Sequence, residues 1–206
     1  MSNYDIPLRK VAVSAFLIAE TEVTNEQYFQ FIKETNHKAP PDWKDGAYAN
    51  GKANEPVVLV TWQEAADYCQ WLSQKIGAEV RLPSEAEWEL AARGKDNFRY
   101  PWGNDWDERA ATSAETNGQI RPVKSYPQGR SGVGAFDLAG NVWEWVQDEA
   151  LDTDGNPIRK DGLTYRVAKG GAANEPKEFL TCSARSVLPP HKPRKYLGFR
   201  YVVIRK

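Results

Sequence analysis

The run Gly140-Asn141-Val142-Trp143-Glu144-Trp145 constrains this chain more than any other stretch. Two large rings flank a carboxylate, directly after a Gly-Asn turn and the segment Phe136-Asp137-Leu138-Ala139. Aromatic rings gain by burial, whereas Asp137, Asn141 and Glu144 need water, partners or a metal. A chain that crowds both kinds together builds a fixed polar site inside a packed shell. The remaining motifs have to be compatible with that site.

Eight tryptophans among 206 residues mean that large rings make up much of the core. The length suffices for one well-cored domain spanning 1–206. No apolar run approaches the ~20 residues that span a bilayer. The start, Met1 to Lys10, contains Asp5, Arg9 and Lys10 and lacks the apolar centre of a signal peptide, so a cytoplasmic location is expected. A net charge of −1 argues against whole-molecule attraction to nucleic acid or membrane. The charge is nevertheless unevenly placed. No acidic residue follows Glu178, while Arg185, Lys192, Arg194, Lys195, Arg200, Arg205 and Lys206 all do. Solvated cations flanking a strand are the plain reading, and a docking face for an acidic ligand is the alternative.

Cys69 and Cys182 allow at most one disulfide, and Cys69 lies mid-helix, where a free cysteine acts as a small buried hydrophobe. His37 and His191 lie far apart in sequence, so no compact Cys/His zinc cluster is expected. Three helix starts carry capping boxes: Thr24 with Gln27, Thr61 with Glu64, and Ser84 with Glu87. The first helix then presents Tyr28, Phe31 and Ile32 on one face. The second presents Ala65, Tyr68, Cys69, Leu72 and Ile76 and ends near Gly77. The third is short and runs into Arg93-Gly94. Strands are expected at Val11 to Ile18, Val57 to Val60, Arg166 to Ala168 and Gly198 to Ile204. The loops at 37–56, 94–135 and 146–165 are long, but Trp43, Tyr48, Tyr100, Trp102 and Trp106 make packed, ordered loops the expectation. Glu85, Glu87 and Glu89 are two apart on a helix and do not face each other, which disfavours paired-carboxylate catalysis.

Together these motifs resemble the formylglycine-generating enzyme family, the sulfatase-modifying-factor domain, a variant of the C-type lectin fold. The resemblance runs through Glu22-Val23-Thr24-Asn25, Pro56-Val57-Val58 with Thr61-Trp62, Arg81-Leu82-Pro83-Ser84-Glu85-Ala86-Glu87-Trp88-Glu89, Tyr100-Pro101-Trp102-Gly103, the segment from Gly140 to Trp145, Lys169-Gly170-Gly171 and Leu197-Gly198-Phe199-Arg200. It implies an α+β fold with little regular secondary structure and long ordered loops.

The resemblance also implies where chemistry would sit. The founding activity is a copper-dependent oxidation of a client cysteine, using two reactive cysteines shortly after the Gly-Gly pair, where soft thiolates suit Cu(I). Here residues 172–181 contain no cysteine. Cys69 and Cys182 match halves of two different structural bridges of secreted members, and the position paired with Cys69 is Tyr201. A second branch uses iron held by three histidines from an added domain, which this chain cannot supply. No copper or iron site is therefore expected. Calcium is the cofactor that the resemblance implies, held by Asp137, the carbonyls of Gly140 and Val142, and Glu144, donors of the hard kind calcium prefers. A second family calcium site would lie before Pro122-Val123, where Thr112 and Ser113 replace an expected Asn.

Ligand contact is expected at Trp145, Ala172, Ala173, Asn174 and Arg185, in the groove after Gly171, while Arg185 and Arg200 also suit the anchoring of buried carboxylates. The layout resembles the variable proteins of diversity-generating retroelements. The resulting expectation is a ligand- or protein-binding domain without cysteine-oxidising activity, acting as a monomer or homodimer on a protein or small molecule. The alternatives are a metal-dependent oxygenase with altered chemistry and a structural partner of an active relative.

Overall fold

A computed structural model describes residues 11–204. All three capping boxes form. Thr24 caps α1 (Asn25–Thr35), Thr61 caps α2 (Trp62–Ile76) and Ser84 caps α3 (Glu85–Arg93), and each hydroxyl accepts from the backbone N–H three residues on. Gly77 ends α2 in the left-handed conformation that a side chain would resist. The expected apolar faces are buried at Tyr28 and Phe31 and at Ala65, Tyr68 and Cys69, whereas Ile76 lies exposed beyond the packed stripe.

The strands differ more from expectation. In chain order they are β1 (Leu17–Ile18), β2 (Glu79–Arg81), β3 (Trp143–Glu149), β4 (Arg159–Lys160), β5 (Leu163–Thr164), β6 (Arg166–Lys169), β7 (Arg185–Leu188), β8 (Leu197–Phe199) and β9 (Val202–Ile204). One sheet has the order β1-β9-β2, another β7-β6-β3-β8, and β4-β5 forms a small hairpin. Within the described part of the run from Val11 to Ile18, only Leu17–Ile18 pairs. Val57 to Val60 forms no strand, because Leu59 takes a left-handed φ of 59° that breaks an extended run. Gly198 to Ile204 divides between two sheets at Arg200-Tyr201, where the chain dips so that Arg200 can enter the core. β3 runs on to Glu149, past residue 146 where a loop is expected, β4 and β5 lie inside that same expected loop, and β2 and β7 form where no strand is expected.

β3 organises the centre. It pairs antiparallel with β6 and parallel with β8, so its backbone is covered on both edges. Successive side chains leave opposite faces of a strand. Trp143 and Trp145 accordingly pack on the cluster of Tyr28, Phe31, Tyr68 and Phe199, while Val146 joins the second cluster around Trp88 and Leu138. Rings interlock across the first cluster, with Tyr28 stacked on Tyr68 at 5.8 Å and Tyr68 edge-on to Phe199 at 5.3 Å. The long loops are packed by rings of their own: Tyr100 stacks on Trp102 at 5.3 Å with Trp106 edge-on, and Trp43 packs against Phe29 and Tyr48. Among the described residues no helix is long and apolar enough to cross a membrane.

Candidate functional site

Glu144 leaves β3 on the side opposite the two tryptophans and is fully buried. Arg200 grips it with two hydrogen bonds, Nε to Oε2 and Nη2 to Oε1, both 2.7 Å, and Trp88 Nε1 adds a third at 2.7 Å. Arg200 also donates to the carbonyls of Phe136 at 2.8 Å and Ala19 at 3.2 Å. Burial works against the guanidinium charge, yet Glu144, Glu22 and Asp137 outweigh it and hold Arg200 firmly protonated. This knot joins β3, β8, α3 and the 136–142 turn, so it fixes the scaffold.

Two further acids approach it. Glu22 is fully buried; its Oε1 accepts from Asn141 Nδ2 at 3.0 Å, and its Oε2 has no partner among the described residues. Burial, then the nearby Asp137, push the Glu22 carboxyl well above the usual carboxylate range, and burial also raises Asp137. The turn that presents Asp137 and Asn141 is tight: both take left-handed φ values, 60° and 57°, with Gly140 at 84° between them. A Cβ on Gly140 would stand 2.2 Å from the Thr112 carbonyl, so only glycine fits.

The calcium set expected here is therefore only partly free. Both Glu144 oxygens are bound by Arg200 and Trp88, and Asp137 Oδ2 accepts the Lys124 backbone N–H at 2.8 Å. What remains open are the Gly140 and Val142 carbonyls, neither of which accepts a backbone hydrogen bond among the described residues, with Glu22 Oε2 beside Asp137. Among those residues no group of three or more His, Cys, Asp or Glu side chains is arranged as a metal cage. Thr112 is used internally, its hydroxyl donating to the Gln119 carbonyl.

The expected ligand surface is redistributed. Trp145 is fully buried and its indole donates to the Val60 carbonyl at 3.1 Å, so it is core. Ala172 and Ala173 are also fully buried: Gly170 and Gly171 take left-handed φ values, Gly171 lies against Leu180, and the Ala173 N–H donates to the Asn141 carbonyl at 3.0 Å. Arg185 anchors the half-buried Glu85 through Nε at 3.0 and 3.2 Å, in line with the carboxylate-anchoring role expected of it, within a network in which buried Lys169 meets Glu89 at 3.0 Å. Asn174 alone of the five is exposed.

A different set lines the surface there. The half-buried Trp143 turns its indole N–H toward Glu175 Oε1 at 3.5 Å. Its backbone N–H donates to Tyr196, whose hydroxyl reaches the Gly118 carbonyl at 3.0 Å. Glu175 is held in turn by its carbonyl, which accepts from Ala114. Trp143, Glu175 and Tyr196 thus tie together the loops at 113–121, 172–177 and 189–196, with the exposed Asn174 beside them. Trp143 carried the signal in the sequence, since it enters a strand whose next ring on the same face is core. Glu175 carried none. Concave surfaces lie within 102–109 and among Arg81, Ser84, Gln147, Asp148, Glu149 and Arg166, and neither holds an expected site residue.

The cysteines are free and lie in separate cores, Cys69 with Tyr68 and Phe31, Cys182 with Trp88 and Leu138. Burial pushes both thiols up to about 12, far from the reactive thiolate form.

Comparison with known proteins places this architecture among relatives. The family profile described as "Sulfatase-modifying factor enzyme 1-like domain" matches residues 1–205. A serine/threonine-protein kinase Pkn1 of Chlamydia trachomatis serovar L2 is 34% identical over 95% of this chain, which spans only 34% of that protein's length. A formylglycine-generating enzyme of Thermomonospora curvata is 30% identical over 94% of this chain and 84% of its own. Among solved structures, Treponema denticola variable protein 1 superposes with a TM-score of 0.76 and 26% identity, covering 94% of this chain and 86% of that one.

Proposed function

The chain belongs to the sulfatase-modifying factor enzyme 1-like family, and from that membership we propose a binding domain that keeps the family scaffold without its cysteine-oxidising chemistry. One observation carries the reading. The groove segment 172–181 has no cysteine, and the two thiols present are buried in different cores with pKa values raised to about 12. Copper chemistry of the kind this family's resemblance implies needs an accessible thiolate pair. The occupant of the groove is a protein segment or small molecule seated on Trp143, Asn174 and Glu175. A half-exposed indole beside a carboxylate offers an apolar platform with a directional acceptor, the combination common at recognition surfaces. The test is capture of the cognate ligand by Trp143→Ala and Glu175→Ala variants that melt like wild type. Loss of capture supports the groove, and unchanged capture removes it.

A diversified display protein is the second reading, favoured by the likeness to the Treponema denticola variable protein. Asn174, Glu175 and Lys177 would be its changeable positions, since they project from a turn whose neighbours Ala172, Ala173 and Leu180 are buried. Sequencing this gene from sibling strains tests it: substitutions concentrated at the three positions support it, and an invariant loop rejects it.

Calcium at the turn holding Asp137, Gly140, Val142 and Glu144 is a proposal in narrower form. Asp137 and the main-chain carbonyls of Gly140 and Val142 would hold the ion, because Glu144 already serves Arg200 and the charged form of Glu22 is disfavoured by burial and by Asp137. A saturable rise in melting temperature with calcium, reversed by chelator and lost in Asp137→Asn, supports this. An unchanged melt rejects it.

A further inference from the structure

Two asparagines of this chain are followed by glycine, in Asn50-Gly51 and Asn117-Gly118. In that dipeptide the main-chain nitrogen most readily attacks the side-chain amide before it, because glycine has no Cβ to hinder the approach. Both asparagines are exposed, and a Cβ on either glycine would meet nothing within 4 Å. Access therefore does not separate the two sites. Hydrogen bonding does.

At Asn117 both reacting groups are engaged. The Gly118 N–H donates to the Ser113 carbonyl at 2.9 Å, and Asn117 Oδ1 accepts the Gln119 N–H at 3.0 Å. The Asn117 N–H reaches the same Ser113 carbonyl at 3.2 Å, and the Tyr196 hydroxyl holds the Gly118 carbonyl at 3.0 Å. Asn50 is held by nothing comparable. The Lys52 N–H closes a four-residue turn onto the Ala49 carbonyl at 3.1 Å, with Gly51 as its third residue at a φ of 82°. Among the described residues the Asn50 amide and the Gly51 N–H have no hydrogen-bond partner. The residues that follow do have a structural task. The Lys52 carbonyl accepts from Asn25 Nδ2 at 2.8 Å, and the Ala53 and Glu55 carbonyls accept the Glu26 and Asn25 N–H groups at 3.0 and 2.9 Å. Those two N–H groups belong to the first turn of α1, where the helix itself offers no acceptor.

From this contrast we propose that Asn50 is a site of spontaneous deamidation, while hydrogen bonds hold Asn117 out of the same reaction. The Gly51 nitrogen, its proton lost to solvent base, bonds to Asn50 Cγ. The Cγ–Nδ2 bond breaks, and ammonia leaves. Water then opens the cyclic imide. Opening at the side-chain carbonyl gives an aspartyl residue, whereas opening at the main-chain carbonyl gives an isoaspartyl residue. In sum, an amide and water become a carboxylate and ammonium. The isoaspartyl form carries the chain through the former side chain and adds a methylene to it. That extra length falls in the turn beside the carbonyls that cap α1, so the modification loosens the start of the helix.

The test is peptide mapping of the full chain after incubation at mildly alkaline pH, folded and in denaturant. Trypsin releases the two sites in the peptides 45–52 and 110–124, and mass spectrometry reads the exchange of NH for O in each. In denaturant both asparagines are expected to convert at similar rates. In the folded chain Asn50 is expected to stay within a few-fold of its denatured rate. Asn117 is expected to slow by at least about tenfold, because its hydrogen bonds must open first. Labelling by an isoaspartyl methyltransferase is expected in peptide 45–52 of the aged wild type and to be absent there in Asn50→Gln. Amide hydrogen exchange at Asn25 and Glu26 is expected to be faster in aged wild type than in Asn50→Gln aged alongside it. A folded-state rate at Asn117 that matches or exceeds the rate at Asn50 overturns the assignment, as does a folded-state slowing of Asn50 by about tenfold or more. Equal exchange at Asn25 and Glu26 in the two aged proteins overturns the loosening of α1.

Discussion

Replacing Arg200 with Met tests whether the buried ion pair holds the scaffold together. The side chains of Arg200 and Glu144 are completely buried, and two bonds of 2.7 Å join them. Removing the cation leaves Glu144 with only the Trp88 indole, in a site that already contains Glu22 and Asp137. Breaking a buried pair from one side costs about 3–5 kcal/mol, and the stranded Phe136 carbonyl adds about 1 kcal/mol more. For a chain of this length, about 4–6 kcal/mol corresponds to a drop of roughly 8–24 °C in melting temperature. The informative control is the double variant Arg200→Met with Glu144→Leu. It deletes both charges and keeps apolar volume, so it is expected to recover about half of the loss, because an apolar pair avoids the desolvation that the ion pair suffered. Trp88 then loses its acceptor and the Phe136 carbonyl still lacks its donor, which leaves a residual cost of about 2–3 kcal/mol. Circular-dichroism melts of wild type, both single variants and the double variant close the cycle. A single-variant cost below about 1 kcal/mol, or strictly additive losses, would refute the reasoning.

Other consequences are equally specific. Gly140→Ala is expected to cost about 2–4 kcal/mol, from the clash with the Thr112 carbonyl and the left-handed φ, and denaturant titration reads it. Glu87 is held below the usual carboxylate range: burial acts against its charge, but Arg81 at 2.7 Å and the Ser84 N–H outweigh it. Its folded-state pKa is depressed, so its stabilisation is present at neutral pH and is lost as pH falls through the folded value. Glu87→Gln should therefore cost about 1–3 kcal/mol at neutral pH, a gap that closes in acid and is followed by melts across pH. Neither thiol is expected to react with a disulfide reagent in the native protein at mildly alkaline pH, and both should react once it is unfolded. Ala173→Trp is expected to unfold the domain rather than to block a ligand, because Ala173 has no free surface.

The helices were legible because their signals are local. Each capping box is written in four consecutive residues, and each formed. Ring-packed loops were legible for a similar reason, since Tyr100, Trp102 and Trp106 lie close enough in sequence to find one another. Strand pairing was less so. β3 begins in a run whose Trp-Glu-Trp pattern reads equally as a polar site, and its partners β6 and β8 lie far along the chain. The site was half legible. Glu144 was recognised as a buried carboxylate needing a partner and Arg200 as an anchor, yet their union depends on where β8 ends, which neither residue reveals alone. Ala172 and Ala173 fall in the segment expected to contact a ligand, but after the left-handed Gly170-Gly171 turn they are buried, while Asn174 is exposed and Glu175 half-buried.

The central claim is that a groove of this family's scaffold has been kept while its oxidative chemistry has been lost. Incubating the full chain with a cysteine-containing sulfatase peptide, Cu(I), oxygen and thiol reductant, and reading the peptide by mass spectrometry, tests it most directly. The account predicts an unchanged peptide cysteine with wild-type protein and with a Cys69→Ala, Cys182→Ala variant alike. Conversion of the peptide cysteine to formylglycine by the wild-type chain would contradict it.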